Sequence, residues 1–163
     1  PRSTLFPYTT LFRSNRLFYR NVERGHFISM IYAVFDMETR ALRIARAGHA
    51  PVMRRAAGAQ VDVIHSRGIA LGFESGSTFS ATIEEARVPL HAGDAFVLYT
   101  DGYPEAMTRT REEYGEERLA AALQRFEGTS AEELLGHLHR DTLRFAGRAE
   151  QHDDMTMVVV RVT

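Results

Sequence analysis

The chain has 163 residues, 44% of them apolar and 25% charged, with a net charge of −1 and no cysteine. That balance suits one folded domain, supplies no basic face for nucleic acid or an anionic membrane, and removes disulfides, thiolate zinc sites and cysteine nucleophiles. All 20 basic residues are arginine, so P-loop ATPases, nucleotide kinases and Schiff-base enzymes, which need a lysine, are excluded as well.

Pro1 to Ser14 carries Phe6, Pro7, Tyr8, Leu11 and Phe12, no acidic residue, and neither helical nor strand periodicity. From Thr4 to Ser14 all eleven residues match the in-frame translation of a common sequencing adapter, and the first methionine is Met30. No apolar core of ~7–15 residues with a cleavage site follows, which argues against a signal peptide. Residues 1–14 are therefore expected to be foreign to the domain and to lack a docking site. Native sequence is expected from Asn15 to Thr163, beginning inside a fold. Without Arg2 and Arg13, 18 arginines face 21 acids, a net of −3.

Leu17 to Val22 reads as the last turns of a helix stopped at Gly25. Phe27 to Phe35 is a strand apolar on both faces, Asp36 to Arg40 a hairpin connection, and Leu42 and Ile44 alternate with Arg43 in the return. Val52 to Arg54 and Val61 to Ile64 are short strands around Gly58, and Phe79 to Val88 reads as another strand. Ala95 to Thr100 is the clearest strand and ends abruptly at Asp101-Gly102. A helix from Gly115 to Phe126 sets Leu119, Ala120, Leu123 and Phe126 on one face. A second opens on the capping box Ser130-Ala131-Glu132-Glu133, buries Leu134, Leu135, Leu138, Thr142 and Phe145, and stops at Gly147. Met155 to Val162 closes the chain as a strand, and no apolar run approaches the ~20 residues of a membrane helix.

Strands first, helices next and hairpin-length connections predict an antiparallel α+β fold. Strands 27–35, 95–100 and 155–162 are apolar at successive positions, which predicts cover on both faces. A four-layer helix–sheet–sheet–helix sandwich satisfies this.

Asp101 follows one strong strand; Asp153 and Asp154 precede another. If those strands are antiparallel neighbours, three carboxylates gather at one sheet end, a usual oxygen-donor set for Mg²⁺ or Mn²⁺. Gly102 leaves room for a close approach there. The same residues also read as an Asp-Gly turn and a solvated Asp-Asp loop. Spacing alone leaves both readings open.

Four segments change that balance: Ala47-Gly48-His49-Ala50-Pro51, Gly68-Ile69-Ala70-Leu71-Gly72, Leu98-Tyr99-Thr100-Asp101-Gly102-Tyr103-Pro104-Glu105-Ala106, and Asp153-Asp154-Met155-Thr156 leading into Val158. In this order they resemble the SpoIIE/RsbU-type branch of the PPM (PP2C-like) serine/threonine phosphatases, and Glu113 to Leu119 fits the helix start that follows. The resemblance runs over all 149 residues from Asn15.

It implies a PP2C-like α-β-β-α sandwich lacking its N-terminal strands, and two Mn²⁺ or Mg²⁺ ions whose bridging water attacks a phosphoryl group. Carried over by motif, Asp101 and Asp153 become metal ligands. Asp154, where relatives often have Asn, orients them, with Gly102 and Thr156 supporting the loop. The carboxylate that bridges both metals belongs to strands before Asn15, so the resemblance implies an active parent but an inactive chain. The implied substrate is phosphoserine or phosphothreonine on an anti-anti-sigma (STAS-type) regulator, in bacterial cytoplasm, under an upstream sensor domain, with no nucleic-acid or membrane contact. Two departures stand out: Ala70 replaces a frequent proline, and Tyr103-Pro104 replaces a small or β-branched pair.

His49 and His152 are secondary candidates, each readable as a loop histidine or as a group near phosphate. His137 and His139 lie two apart on a helix and do not share a face. Arg54-Arg55 reads as an exposed strand end or a phosphate-attracting pair. Two rival functions remain: a metal-free interaction module of the same fold, and a metal phosphoesterase acting on small molecules. Metal binding by Asp101 and Asp153 separates the first, phosphopeptide against nucleotide substrates the second.

Overall fold

The computed structural model describes residues 6–23 and 25–163. In chain order it contains α1 (Pro7–Asn21), β1 (Met30–Asp36), β2 (Ala41–Ala47), β3 (Val52–Arg55), β4 (Val61–Ile64), α2 (Ser77–Thr82), β5 (Glu85–Pro89), β6 (Ala95–Tyr99), α3 (Gly115–Gln124), α4 (Ala131–Ala146) and β7 (Met157–Arg161). The class is α+β with two antiparallel sheets, as expected. The chain divides into two compact units, Pro1–Pro51 with His65–Leu90, and Val52–Ile64 with His91–Thr163.

The first unit is built on the three-stranded sheet β1-β2-β5. Asp36 starts its hairpin, its Oδ1 accepting from the backbone N–H groups of Glu38 and Thr39 at 3.0 Å each, which holds the carboxyl below its ordinary pKa. Central β2 buries Ala41, Leu42, Ile44, Ala45 and Ala47, and α1 packs on β1 and β2. The apolar cluster beneath the helix joins Leu11, Ala45, Ala47, Leu71, Phe79 and Ile83.

Three expectations are corrected in this unit. Residues 1–5 lie outside the described residues, but Pro7 to Ser14 belong to α1, and Leu11 is fully buried. The buried face of α1 is only Pro7, Leu11 and Asn15, a stripe too narrow to show as periodicity beside exposed Phe6 and Tyr8. Ser77–Thr82 is a helix where a strand was expected, anchored by buried Phe79, and β5 starts only at Glu85. β1 is half-buried at every position because it edges its sheet instead of being covered on both faces.

The second unit carries the four-stranded sheet β4-β3-β6-β7. α3 packs on α4 and on β3 and β4, while α4 packs on β7. The expected capping box is present: Ser130 Oγ accepts from Glu133 N–H at 3.0 Å, and Glu133 Oε2 accepts from Ser130 N–H at 3.0 Å. Only β6 is buried almost throughout; edge strand β7 leaves Val158 exposed, against the expected double cover. Arg54 and Arg55 are not a free strand end. Arg54 donates to buried Asp94 from Nε at 3.1 Å and Nη2 at 2.8 Å, and Arg55 Nη2 donates to the Phe126 carbonyl at 2.7 Å. Among the described residues no helix is long and apolar enough to cross a membrane.

Candidate functional site

The pairing of β6 with β7 runs antiparallel from Ala95↔Arg161 to Tyr99↔Met157. The segment leaving β6 therefore meets the segment entering β7, bringing the Asp101 and Asp153 loops to one end of the sheet. Thr100 fastens them. Its N–H donates to the Thr156 carbonyl at 3.0 Å, its hydroxyl donates to the Asp154 carbonyl at 2.8 Å, and the same oxygen accepts from Thr156 N–H at 2.9 Å. Thr156 enters this clasp through its backbone carbonyl and N–H. The sequence reading did not single out Thr100, although a hydroxyl residue closing the strand ahead of Asp-Gly was its signal.

Gly102 is buried, and a Cβ there would lie 2.5 Å from the Asp154 carbonyl oxygen and 3.3 Å from that of Asp153. No side chain fits between these backbones. Beyond it, Glu105 N–H donates to the Asp101 carbonyl at 2.9 Å, closing a tight turn. Tyr103, the departure residue, is 3% exposed. Its hydroxyl lies 3.1 Å from His139 Nδ1 on α4, and burial raises its pKa. The bulky pair after Asp-Gly thus ties the turn to α4.

Asp101, Asp153 and Asp154 are all exposed. Asp153 Oδ1 accepts from Asp154 N–H at 2.7 Å, and the Asp153 carbonyl accepts from Gln151 Nε2 at 2.8 Å. Carboxylate and carbonyl oxygens are the donors a hard divalent cation prefers, so the donor type fits Mg²⁺ or Mn²⁺. The number is short: among the described residues no group of three or more His, Cys, Asp or Glu side chains converges as a metal site. Exposed His152 lines a cavity of about 80 Å³ together with Gly102 and Asp153.

The remaining candidates have other partners. His49 belongs to the first unit, its Nδ1 lying 3.3 Å from the Ala50 carbonyl. In its motif Gly48 N–H donates to the Gly68 carbonyl at 3.0 Å, joining two of the segments singled out in the sequence. Gly48 has φ +65° and a Cβ there would meet Ala70 at 2.8 Å, so the alanine that replaces proline sits against a position closed to side chains. His137 Nε2 lies 3.1 Å from the Ala122 carbonyl, so the two α4 histidines have separate partners.

The comparisons with known proteins agree on the family. The model of the stage II sporulation protein E (SpoIIE) family matches residues 2–163. Phosphoserine phosphatase RsbU of Bacillus subtilis is 27% identical over 166 residues, covering 99% of this chain and 47% of RsbU. The chain thus spans about half of that relative's length. The SiaA-PP2C domain of Pseudomonas aeruginosa superposes with a TM-score of 0.82 at 19% identity, covering 99% of this chain and 63% of that one. The SpoIIE phosphatase domain of Bacillus subtilis, presoaked with Mn, gives 0.69 at 19% identity over 99% of this chain and 67% of that one. These structures share the fold; the family match rests on sequence across nearly the whole chain. By its sequence this chain belongs to the SpoIIE family, and with its two antiparallel sheets it has the fold of PP2C-type phosphatase domains.

Proposed function

We propose that residues 15–163 form part of a metal-dependent protein serine/threonine phosphatase domain, with Asp101 and Asp153 as metal ligands. One observation carries this reading: the β6–β7 register and the Thr100 hydrogen bonds bring both aspartate loops to one sheet end. When bound, Mn²⁺ or Mg²⁺ ions supply an activated water and neutralise phosphoryl charge. The chain's own contribution is positioning. Asp101 and Asp153 present anionic oxygens, the Asp154 N–H orients the Asp153 carboxylate, and Gly102 keeps the two backbones in contact. His152 stands next to Asp153 in the wall of the same cavity and is a secondary candidate for contact with a phosphate outside it.

RsbU is named a phosphoserine phosphatase, which supports phosphoserine or phosphothreonine on a protein as substrate. An anti-anti-sigma regulator of STAS type, acted on in the cytoplasm, is the partner this reading favours. For residues 1–14 the adapter origin keeps the support of the eleven-position match; resequencing the source DNA across Asn15 tests it.

Because no three-ligand group converges among the described residues, the chain by itself is expected to hold Mn²⁺ weakly and to turn over a generic phosphate ester no faster than its Asp101→Asn variant. Isothermal titration with Mn²⁺ and a phosphopeptide assay test both points. Heat of binding lost in Asp101→Asn and in Asp153→Asn supports the ligand assignment. Unchanged binding in both variants overturns it. Robust Mn²⁺-dependent turnover abolished by Asp101→Asn overturns the expected inactivity. The same shortage of ligands favours a second reading, a non-catalytic interaction module, for which no Mn²⁺ binding is expected at all.

A further inference from the structure

The cavity that Gly102, His152 and Asp153 share has a second character. Its other walls include Met107, Leu143, Ala146 and Met155, and the remaining acids lining it are Glu105 and Glu150. Both glutamates are exposed, and among the described residues no arginine lines the cavity.

We propose that this cavity is a recognition pocket for one arginine or lysine side chain of the phosphoprotein substrate, close in sequence to the phosphorylated residue. The inference rests on the phosphatase reading for what brings the substrate there. At about 80 Å³ the space is several times the ~10–15 Å³ that one water needs, so it admits a side-chain-sized group. The thioethers of Met107 and Met155 adapt to such a group more readily than branched side chains do. Apolar walls alone would favour a leucine, and acids alone a free cation. The combination suits a side chain with a methylene stem and a cationic head, which lies along apolar surface while its charge meets a polar edge. Glu105 and Glu150 supply that edge as charge-assisted acceptors. The same carboxylates repel a phosphate, so the phosphorylated side chain itself is not the occupant. Asp153 lines the same cavity, so a bound basic side chain sets the distance between the neighbouring phosphate and the proposed metal ligands.

The test is fluorescence anisotropy of the full chain with Mn²⁺ and short labelled peptides. Each peptide carries a central phosphoserine and one arginine, stepped through the flanking positions, in a Gly/Ala background. Twins replace arginine by citrulline or norleucine, or phosphoserine by serine. At one flanking position or more, the arginine peptide is expected to bind about tenfold more tightly than its citrulline and norleucine twins. The double variant Glu105→Gln/Glu150→Gln is expected to erase that preference with its melting temperature unchanged, because both residues are exposed. Equal binding of arginine and citrulline, stronger binding of norleucine, or a preference that survives in a folded double variant overturns the proposal. If the double variant does not fold, the arginine-to-citrulline ratio in the unaltered chain decides. At Mn²⁺ concentrations that saturate the weak site in the calorimetric titration, an arginine preference with no Mn²⁺-dependent preference for phosphoserine sustains the pocket and sinks the phosphatase reading. A phosphoserine preference that ignores arginine does the reverse.

Discussion

At the scale of single residues, Gly102 and Arg54 show how much a position depends on its neighbours. A methyl at residue 102 would meet backbone oxygen at 2.5 Å, with no flexible side chain to move aside. Gly102→Ala is therefore expected to cost about 1–3 kcal/mol, the range of overpacked sites, read from the urea midpoint. It should also weaken Mn²⁺ binding, since the loop that yields carries Asp153. Arg54 is a different case. Asp94 is 1% exposed and accepts two hydrogen bonds from Arg54 and one from the His91 N–H at 3.1 Å, while its Oδ1 has no partner. Arg54→Met would leave that carboxylate buried and unpaired, at a cost of about 3–5 kcal/mol. Chemical denaturation at neutral pH measures it. Nothing in the dipeptide Arg54-Arg55 marks this role, because its partner lies forty positions away.

At the scale of elements, α4 shows local sequence and tertiary structure agreeing. Ser130 and Glu133 satisfy backbone donors at the helix start, and the N–H groups of Thr129 and Ser130 lower the Glu133 pKa below its ordinary value of 4.5. A folded-state value below the unfolded one means that the stabilisation is present above the ordinary value and disappears as pH falls through the lowered one. Glu133→Gln should therefore melt below the unaltered chain at pH 7, and the gap should close under acid conditions. Thermal melts followed by circular dichroism between neutral and acid pH check the direction. α2 shows the opposite relation. Ser77-Thr78-Phe79-Ser80-Ala81-Thr82 has no helical preference, yet Ser80 and Thr82 hydroxyls bond back to the Ser77 and Thr78 carbonyls at 3.0 Å each, and Phe79 plugs the apolar cluster. One buried aromatic outweighs the weak preferences of two serines and two threonines.

At the scale of the whole chain, α1 connects packing to the question of where native sequence starts. Leu11 is fully buried in its cluster, and Asn15 holds the adjoining loop by donating to the Glu74 carbonyl and accepting from the Gly72 N–H, at 2.8 Å each. Leu11→Ala is expected to cost about 2–5 kcal/mol, as for other buried leucines. Leu17→Ala, at 69% exposed, should stay within about ±0.5 kcal/mol. Equal effects at both positions would show that α1 does not dock. A segment of adapter origin, as proposed for residues 1–14, would never have been selected against this core, but selection is not what packing requires. A leucine four residues ahead of a buried asparagine lies on the same helical face.

Most strands and helices α3 and α4 were legible from sequence alone, and the meeting of the Asp101 and Asp153 loops was legible only on the condition that their strands pair. Apolar runs bounded by turn residues mark strands whatever their partners, and a capping box is written within four consecutive residues. Two strands that run antiparallel as neighbours must also bring the end of one to the start of the other. What only tertiary structure decided was contact between residues far apart in the chain. The Thr100 clasp, the Arg54–Asp94 pair, the docking of Leu11 and the acid-lined cavity beside Asp153 all depend on side chains whose partners local pattern does not name. Burial is a property of the neighbours a residue meets, and those are set by the fold.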